Sequence, residues 1–368
     1  AKLPKPIDPI TRPPDFEALG LDPARFILKD GIYTQQLRNG YTATISLEPS
    51  LQKPLQAYLV KNKVAHGGVV LLEPNTGRVL AMAEASSAKP AFPAFSRTPH
   101  APSASVFKVV TAAALVAEAK LTRHTQTCYH GGRSRLTNTN IDGDKRLDTR
   151  CASLSDAVAW SINSVIAKRA KRHLSQTTQD AWAKRFGYNE SIPFDLPVAR
   201  SHAASVQDPY DRARQAAGFL HSSLSPLHGA LIASAPVNDG VMMRPYLVSE
   251  LIDASGRVVY RAKPTPWRRV MPPDIAREVA AMMSQTTQKG TARRYFTRTP
   301  IAWTTGGKTG TLSQHKPSFL RYTWFVGFAH DERRKIAVSA LACNTPLWHV
   351  NGPGIAAEAL SRYIRKGT

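Results

Sequence analysis

Acidic residues are scarce in this chain of 368 residues: 26 Asp and Glu stand against 49 Lys and Arg, a formal net charge of +23. Cysteine is scarcer still, with three in all. No run of 18 apolar residues occurs, so no segment reads as a membrane span. Neither a His-x-x-x-His nor a paired-cysteine spacing is present, so no metal is expected and the reading calls for no cofactor. Zinc-finger spacings, RNP-type aromatic motifs and long Lys/Arg blocks are also missing. The positive charge is scattered, which argues against a nucleic-acid partner. It fits a solvated surface or an affinity for an acidic polymer outside the cytoplasm. With 42% hydrophobic and 20% charged residues the composition is globular, and the length suits one large domain or two ordinary ones.

The few cysteines are informative by position. Cys128 and Cys151 bracket a polar segment, Tyr129 to Arg150. Either a disulfide closes that loop in an oxidising compartment, or these are two unrelated thiols. Cys343 ends an apolar run and reads as a small buried hydrophobe. The chain opens on Ala1 and not on Met, which fits a removed signal or anchor as well as a trimmed sequence.

What is present is organised around Ser105-Val106-Phe107-Lys108 and the apolar run that follows to Ala117. Good helix formers from Ala112 onward, no internal Gly or Pro, and Pro102 and Ser103 just upstream predict a helix. Its apolar residues run all round, so it should be buried in the middle of a domain. Positions i and i+3 share a face, so the Ser105 hydroxyl and the Lys108 amine should point the same way. A buried lysine tends to lose its charge, and a neutral amine beside a serine can take its proton. The spacing also occurs at Ser50/Lys53 and Ser86/Lys89. Ser86 lies in a loop before Pro90, and Ser50 reads as the N-cap of a shorter amphipathic helix.

The organisation along the chain predicts an α+β fold. Residues 1–41, with Pro4, Pro6, Pro9, Pro13 and Pro14, read as an extended arm or linker remnant. The single domain is expected over 42–368. Strands are predicted over 41–47, 67–72, 78–83, 241–252, 302–311, 322–329 and 335–342. Helices are predicted over 50–62, 154–171, 177–186, 273–288 (with Gly290 as a C-cap) and 355–365, and over 212–235 as one helix or two broken near Ser225-Pro226. Strands at both ends and helices between them imply one antiparallel sheet built from both termini. Helices should cover its faces, and an all-helical half, roughly 105–235, should be inserted.

Two more short motifs follow Ser105 in order. Ser161-Ile162-Asn163 is the one Ser-x-Asn in the chain, and Lys308-Thr309-Gly310-Thr311 holds the one Lys-Thr-Gly, just after Gly306-Gly307. With this trio the chain resembles the penicillin-binding transpeptidase domains and their serine β-lactamase relatives. The likeness extends to the hairpin from Gly68 through Met82, to Phe186-Gly187-Tyr188 with Asp195-Leu196-Pro197, to Asn238-Asp239-Gly240, to Arg244-Pro245 and to Lys289-Gly290-Thr291-Ala292. It covers roughly residues 42–366. Ala104 stands where that family often has Gly before the nucleophile, and too little chain precedes Ser105 for a glycosyltransferase domain.

The resemblance implies a periplasmic or extracytoplasmic peptidoglycan D,D-transpeptidase, with stem peptides as substrates and β-lactam antibiotics as covalent inhibitors. Other cell-wall synthesis proteins would be partners. It implies Ser105 as nucleophile, Lys108 as base, Ser161 as proton relay and Asn163 as a holder of the substrate amide. Lys308, Thr309 and Thr311 with Gly310 would bind the terminal carboxylate, and the amides of Ser105 and Thr311 would form the oxyanion hole. A D,D-carboxypeptidase or a β-lactamase of the same fold is the nearest alternative. A β-lactamase of one class needs a Glu between the second and third motifs, and Glu190, Glu250 and Glu278 are poor candidates. A non-catalytic β-lactam sensor or wall-binding scaffold is the alternative from another class.

Overall fold

The central sheet grows from two stretches of sequence that are apolar except for His66 at the start of one and Glu84 near the end of the other. In the computed structural model, which describes residues 13–132, 135–219, 221–316, 319–346 and 349–366, β1 (His66–Leu72) is buried at every position and β2 (Val79–Ala85) at its first five. Next come helices α1 (Lys108–Ala119), α2 (Leu154–Ala159), α3 (Asn163–His173), α4 (Pro226–Ser234) and α5 (Pro273–Gln288). The chain then returns to the sheet as β3 (Thr304–Gln314), β4 (Leu320–His330) and β5 (Lys335–Asn344), and closes with α6 (Gly352–Arg365). The sheet order is β3-β4-β5-β1-β2, antiparallel at each step. Runs without hydrophobic alternation demand cover on both faces. One face receives α6 and the helix Pro49–Lys61, whose Leu51, Leu55 and Leu59 are sealed in that core. Each of those leucines contributes roughly 2 kcal/mol by burial. The other face receives α4, buried along its whole length, and the helical half beyond it.

The expected arm over 1–41 is corrected within the described residues. Ile27–Lys29 and Ile32–Gln36 form a hairpin, and it joins a second five-stranded sheet with Thr42–Ile45, Val248–Ile252 and Val258–Arg261. Within Ile32–Gln36 only Gln35 is buried, so the hairpin carries no apolar alternation to announce it. Residues 1–12 of that expected arm lie outside the described residues.

The inserted half is not all helical, as was expected. Gln126–Tyr129 pairs with Arg150–Ser153, and Ala101–Pro102 with Ser223–Leu224. Cys128 stands directly opposite Cys151 on the first ribbon, and the two form a disulfide. Cys343 is a buried free thiol. The predicted helix over 154–171 is broken into α2 and α3, because Ser161 adopts a left-handed φ of 56°. Ser50 does not cap its helix; Glu48 holds that position and Ser50 lies in the first turn. Gly290 follows α5 but is no left-handed cap. It sits where an added Cβ would come 2.2 Å from the Ala159 carbonyl oxygen.

Candidate active site

The site begins with a tight turn. Ala104–Phe107 is a 3-10 turn that runs into α1. Ala104 takes a left-handed φ of 48°, the conformation for which Gly is the easier residue. The approach to the turn is fixed from two sides: Trp324 Nε1 donates to the Pro102 carbonyl at 2.9 Å, and the Tyr188 hydroxyl to Ser103 Oγ at 3.1 Å. From Lys108 to Leu115 every residue of α1 is buried. Ser105 remains half-buried at the mouth of this helix, open to a cleft of about 580 Å³.

One turn later the Lys108 side chain is sealed, and its Nζ stands 2.7 Å from Ser105 Oγ and 2.7 Å from Asn163 Oδ1. A third contact is the Ala217 carbonyl. Burial holds this amine well below the usual lysine value, and the nearby Lys308 amine pushes it lower still. A neutral amine has two N–H groups and one lone pair. The Asn163 and Ala217 oxygens can only accept, so they take both N–H groups, and the lone pair is left facing the Ser105 hydroxyl. That is the arrangement of a general base beside its nucleophile.

The second motif enters from the break between α2 and α3. There the Ser161 hydroxyl donates to Ser105 Oγ at 3.0 Å, and Asn163 opens α3. Left-handed backbone at both Ala104 and Ser161 concentrates strain on the two segments that meet at Ser105. The third motif lies on β3, an edge strand whose register sets Lys308 opposite Val326. Side chains alternate along a strand, so Lys308 and Gly310 turn to the helical half, while Thr309 and Thr311 line the cleft. Lys308 is fully buried, and burial lowers its amine to about 7. It donates to the Thr309 carbonyl at 2.9 Å. Gly310 packs closely on the turn: a Cβ there would stand 3.2 Å from Ala104 Cβ and 3.4 Å from the Ser105 nitrogen, so the turn would have to give by a few tenths of an ångström.

The structure thus gathers Ser105, Lys108, Ser161, Asn163, Lys308, Thr309, Gly310 and Thr311 around one cleft. It does not bring the three glutamates there. Glu190 pairs with Lys184 and Arg268, Glu250 with Arg261, and Glu278 with Arg123. Among the described residues no carboxylate lines the cleft. A larger neighbouring cleft of about 870 Å³ shares Arg294, Tyr295 and Asn351 with it but holds neither Ser105 nor Lys108.

Sequence reasoning missed the segment Ala216-Ala217-Gly218. Thr111 Oγ1 donates to the Ala216 carbonyl at 2.8 Å, the Ala217 carbonyl meets Lys108, and Gly218 lies flat on the nucleophile turn. Its one visible signal was a run of small residues, the composition that lets backbones approach. Trp160, 48% exposed at the rim, and Thr291 were likewise not assigned a role.

Comparison with known proteins agrees with this geometry. The family model described as the penicillin binding protein transpeptidase domain matches residues 67–364. The peptidoglycan D,D-transpeptidase PbpA of Mycolicibacterium smegmatis is 30% identical over 308 residues, which cover 75% of this chain and 61% of the relative. PbpA of Mycobacterium tuberculosis is 29% identical over 76% of this chain and 62% of its own length. The chain therefore spans about three fifths of the length of these curated relatives. Among solved structures, the D,D-transpeptidase domain of a peptidoglycan glycosyltransferase from Eggerthella lenta superposes with a TM-score of 0.73 at 24% identity, covering 88% of this chain and 83% of that one. Penicillin-binding protein A of M. tuberculosis, solved as an imipenem acyl-enzyme, gives 0.73 at 22% identity over 88% and 79%. A family match over most of the chain, a shared fold and three motifs converging on one serine lead to one conclusion: this chain belongs to the penicillin-binding protein transpeptidase family.

Proposed function

We propose that the chain is the catalytic domain of a peptidoglycan D,D-transpeptidase that works through an acyl-enzyme on Ser105. One observation carries the reading: the buried Lys108 amine stands 2.7 Å from Ser105 Oγ, and its other two contacts are oxygens that can only accept, so in its neutral form its lone pair is directed at Ser105 Oγ. As Oγ attacks the carbonyl of a D-alanyl-D-alanine bond, its proton passes to Lys108. The Ser105 and Thr311 amides hold the resulting oxyanion; each such donor typically stabilises the transition state by about 3 kcal/mol. Ser161, 3.0 Å from Ser105 Oγ, relays the proton to the departing D-alanine amine. The Asn163 side-chain amide holds a substrate carbonyl, and Thr309 and Thr311 hold the terminal carboxylate beside the Lys308 amine. An amine of a neighbouring stem peptide then attacks the Ser105 ester and forms the cross-link. The names of the curated relatives support cross-linking as the outcome. The lack of a carboxylate among the described residues of the cleft supports slow hydrolysis of the ester, which separates this reading from a β-lactamase.

A site outside the cytoplasm is supported by the Cys128–Cys151 disulfide, a bond that persists in oxidising compartments. The net charge of +23 suits work on an acidic wall polymer. The test is intact-mass measurement after incubation with benzylpenicillin. One adduct per chain should appear, map to the peptide holding Ser105, and be absent from Ser105→Ala. Nitrocefin should give a single slow stoichiometric acylation. An unlabelled wild-type chain, or a label elsewhere, would overturn the proposal, and rapid multiple turnover of nitrocefin would point to the β-lactamase.

A further inference from the structure

The corner between α5 and β3 reaches the second and third motifs at once. Lys289 pairs with Asp156 of α2 at 2.7 Å, and Gly290 lies against the Ala159 carbonyl. Thr291 donates its backbone N–H to that same carbonyl at 3.0 Å, and its hydroxyl lies 3.3 Å from it. The Thr291 hydroxyl also stands 2.6 Å from the Thr309 hydroxyl, the shorter of its two contacts. Both threonines line the catalytic cleft.

Two hydroxyls so close must share one proton between them, and a carboxylate can only accept. If Thr309 gave its proton to Thr291, it would present lone pairs to an anionic ligand. If Thr291 gives its proton to Thr309, the Thr309 proton is released to point into the cleft. Thr291 can do so at little cost, because the Ala159 carbonyl keeps the Thr291 amide as its donor. We propose that Thr291 is a positioning residue: its hydroxyl donates to Thr309 and so commits the Thr309 proton to the terminal carboxylate of the substrate or of a β-lactam. The inference rests on the acyl-enzyme reading above, with Thr309 as a carboxylate ligand. Through its amide bond to the Ala159 carbonyl the same residue ties that donor to the strained segment carrying Ser161.

Comparing acylation by benzylpenicillin with acylation by its methyl ester, in which the carboxylate is masked, tests this. Thr291→Val keeps the shape and removes the hydroxyl. Acylation by benzylpenicillin should slow roughly ten-fold, the usual size of a lost hydrogen bond to a charged group, while the ester changes less than two-fold. Thr291→Ser should restore the wild-type ratio. Thr291→Ala, a smaller replacement at an exposed position, should show the same carboxylate-selective loss with an unchanged unfolding midpoint. Equal slowing with both ligands, or none with either, overturns the assignment. A wild-type chain that neither ligand acylates overturns the acyl-enzyme reading and this inference with it.

Discussion

A buried lysine amine is costly to charge, and both Lys108 and Lys308 are fully buried. The arrangement trades stability for chemistry. For Lys308 the sign follows from the two states. Its amine titrates near 7 in the folded chain against 10.5 for the ordinary residue, so between those values the unfolded chain binds more protons. Stability from this group therefore rises with pH across that window. Lys308→Met fills the same space without a charge. It should be more stable than wild type, with the advantage largest near pH 7 and shrinking toward pH 10, and it should lose acylation by benzylpenicillin. Urea unfolding at the two pH values reads this directly, and an advantage that grows with pH would contradict it. At this scale the sequence was legible. An i, i+3 pair on a wholly apolar helix already placed hydroxyl and amine together, and they meet at 2.7 Å.

At the scale of elements, the Ser105 turn is held by backbone packed against backbone. The Gly218 position, with φ of 91°, would put a Cβ 2.2 Å from the Ala104 oxygen and 2.8 Å from the Ser105 nitrogen. Gly218→Ala must therefore displace the 104–105 turn from its place between Gly218 and Gly310. We expect an acylation rate at least ten-fold lower, with stability reduced by roughly 1–3 kcal/mol, the usual range for overpacking and backbone strain. Stopped-flow labelling and thermal unfolding measure the two effects separately; an unchanged acylation rate would refute the account. The break at 160–162 belongs to the same scale. Propensity over 154–171 favours one continuous helix, and nothing local signals a left-handed Ser161. The break is imposed by packing, with Gly290 and Thr291 seated against the Ala159 carbonyl from a distant part of the chain.

Over the whole molecule, the helical half carries its own covalent tie. The Cys128–Cys151 bond spans a sequence separation of 23, on a ribbon that leads into α2. Around it Lys168 bridges Asp148 and the Cys128 carbonyl, and His130 also meets Asp148. Closing a loop of that size should contribute about 3 kcal/mol by limiting the unfolded chain. The Cys128→Ser/Cys151→Ser variant should unfold at correspondingly lower denaturant while acylating Ser105 within two-fold of the wild-type rate, since the ribbon lines no part of the cleft. Guanidinium titration with parallel penicillin labelling checks both, and loss of labelling in the folded variant would show that the ribbon positions the site.

By itself the sequence determined what can be written within a few turns of chain: the buried helix and its Ser–Lys pair, the apolar strands, and the identity and order of the three motifs. These rest on periodicity and on side-chain chemistry, which are local. Only the tertiary structure decided that the Ala217 carbonyl completes the lysine's contacts, that Gly218 and Gly310 make room for the nucleophile turn, and that residues 27–36 join a sheet with 248–252. Such contacts are made between segments far apart in the chain. Their partners are chosen by fit and by the need to satisfy buried polar groups, and no local pattern encodes either.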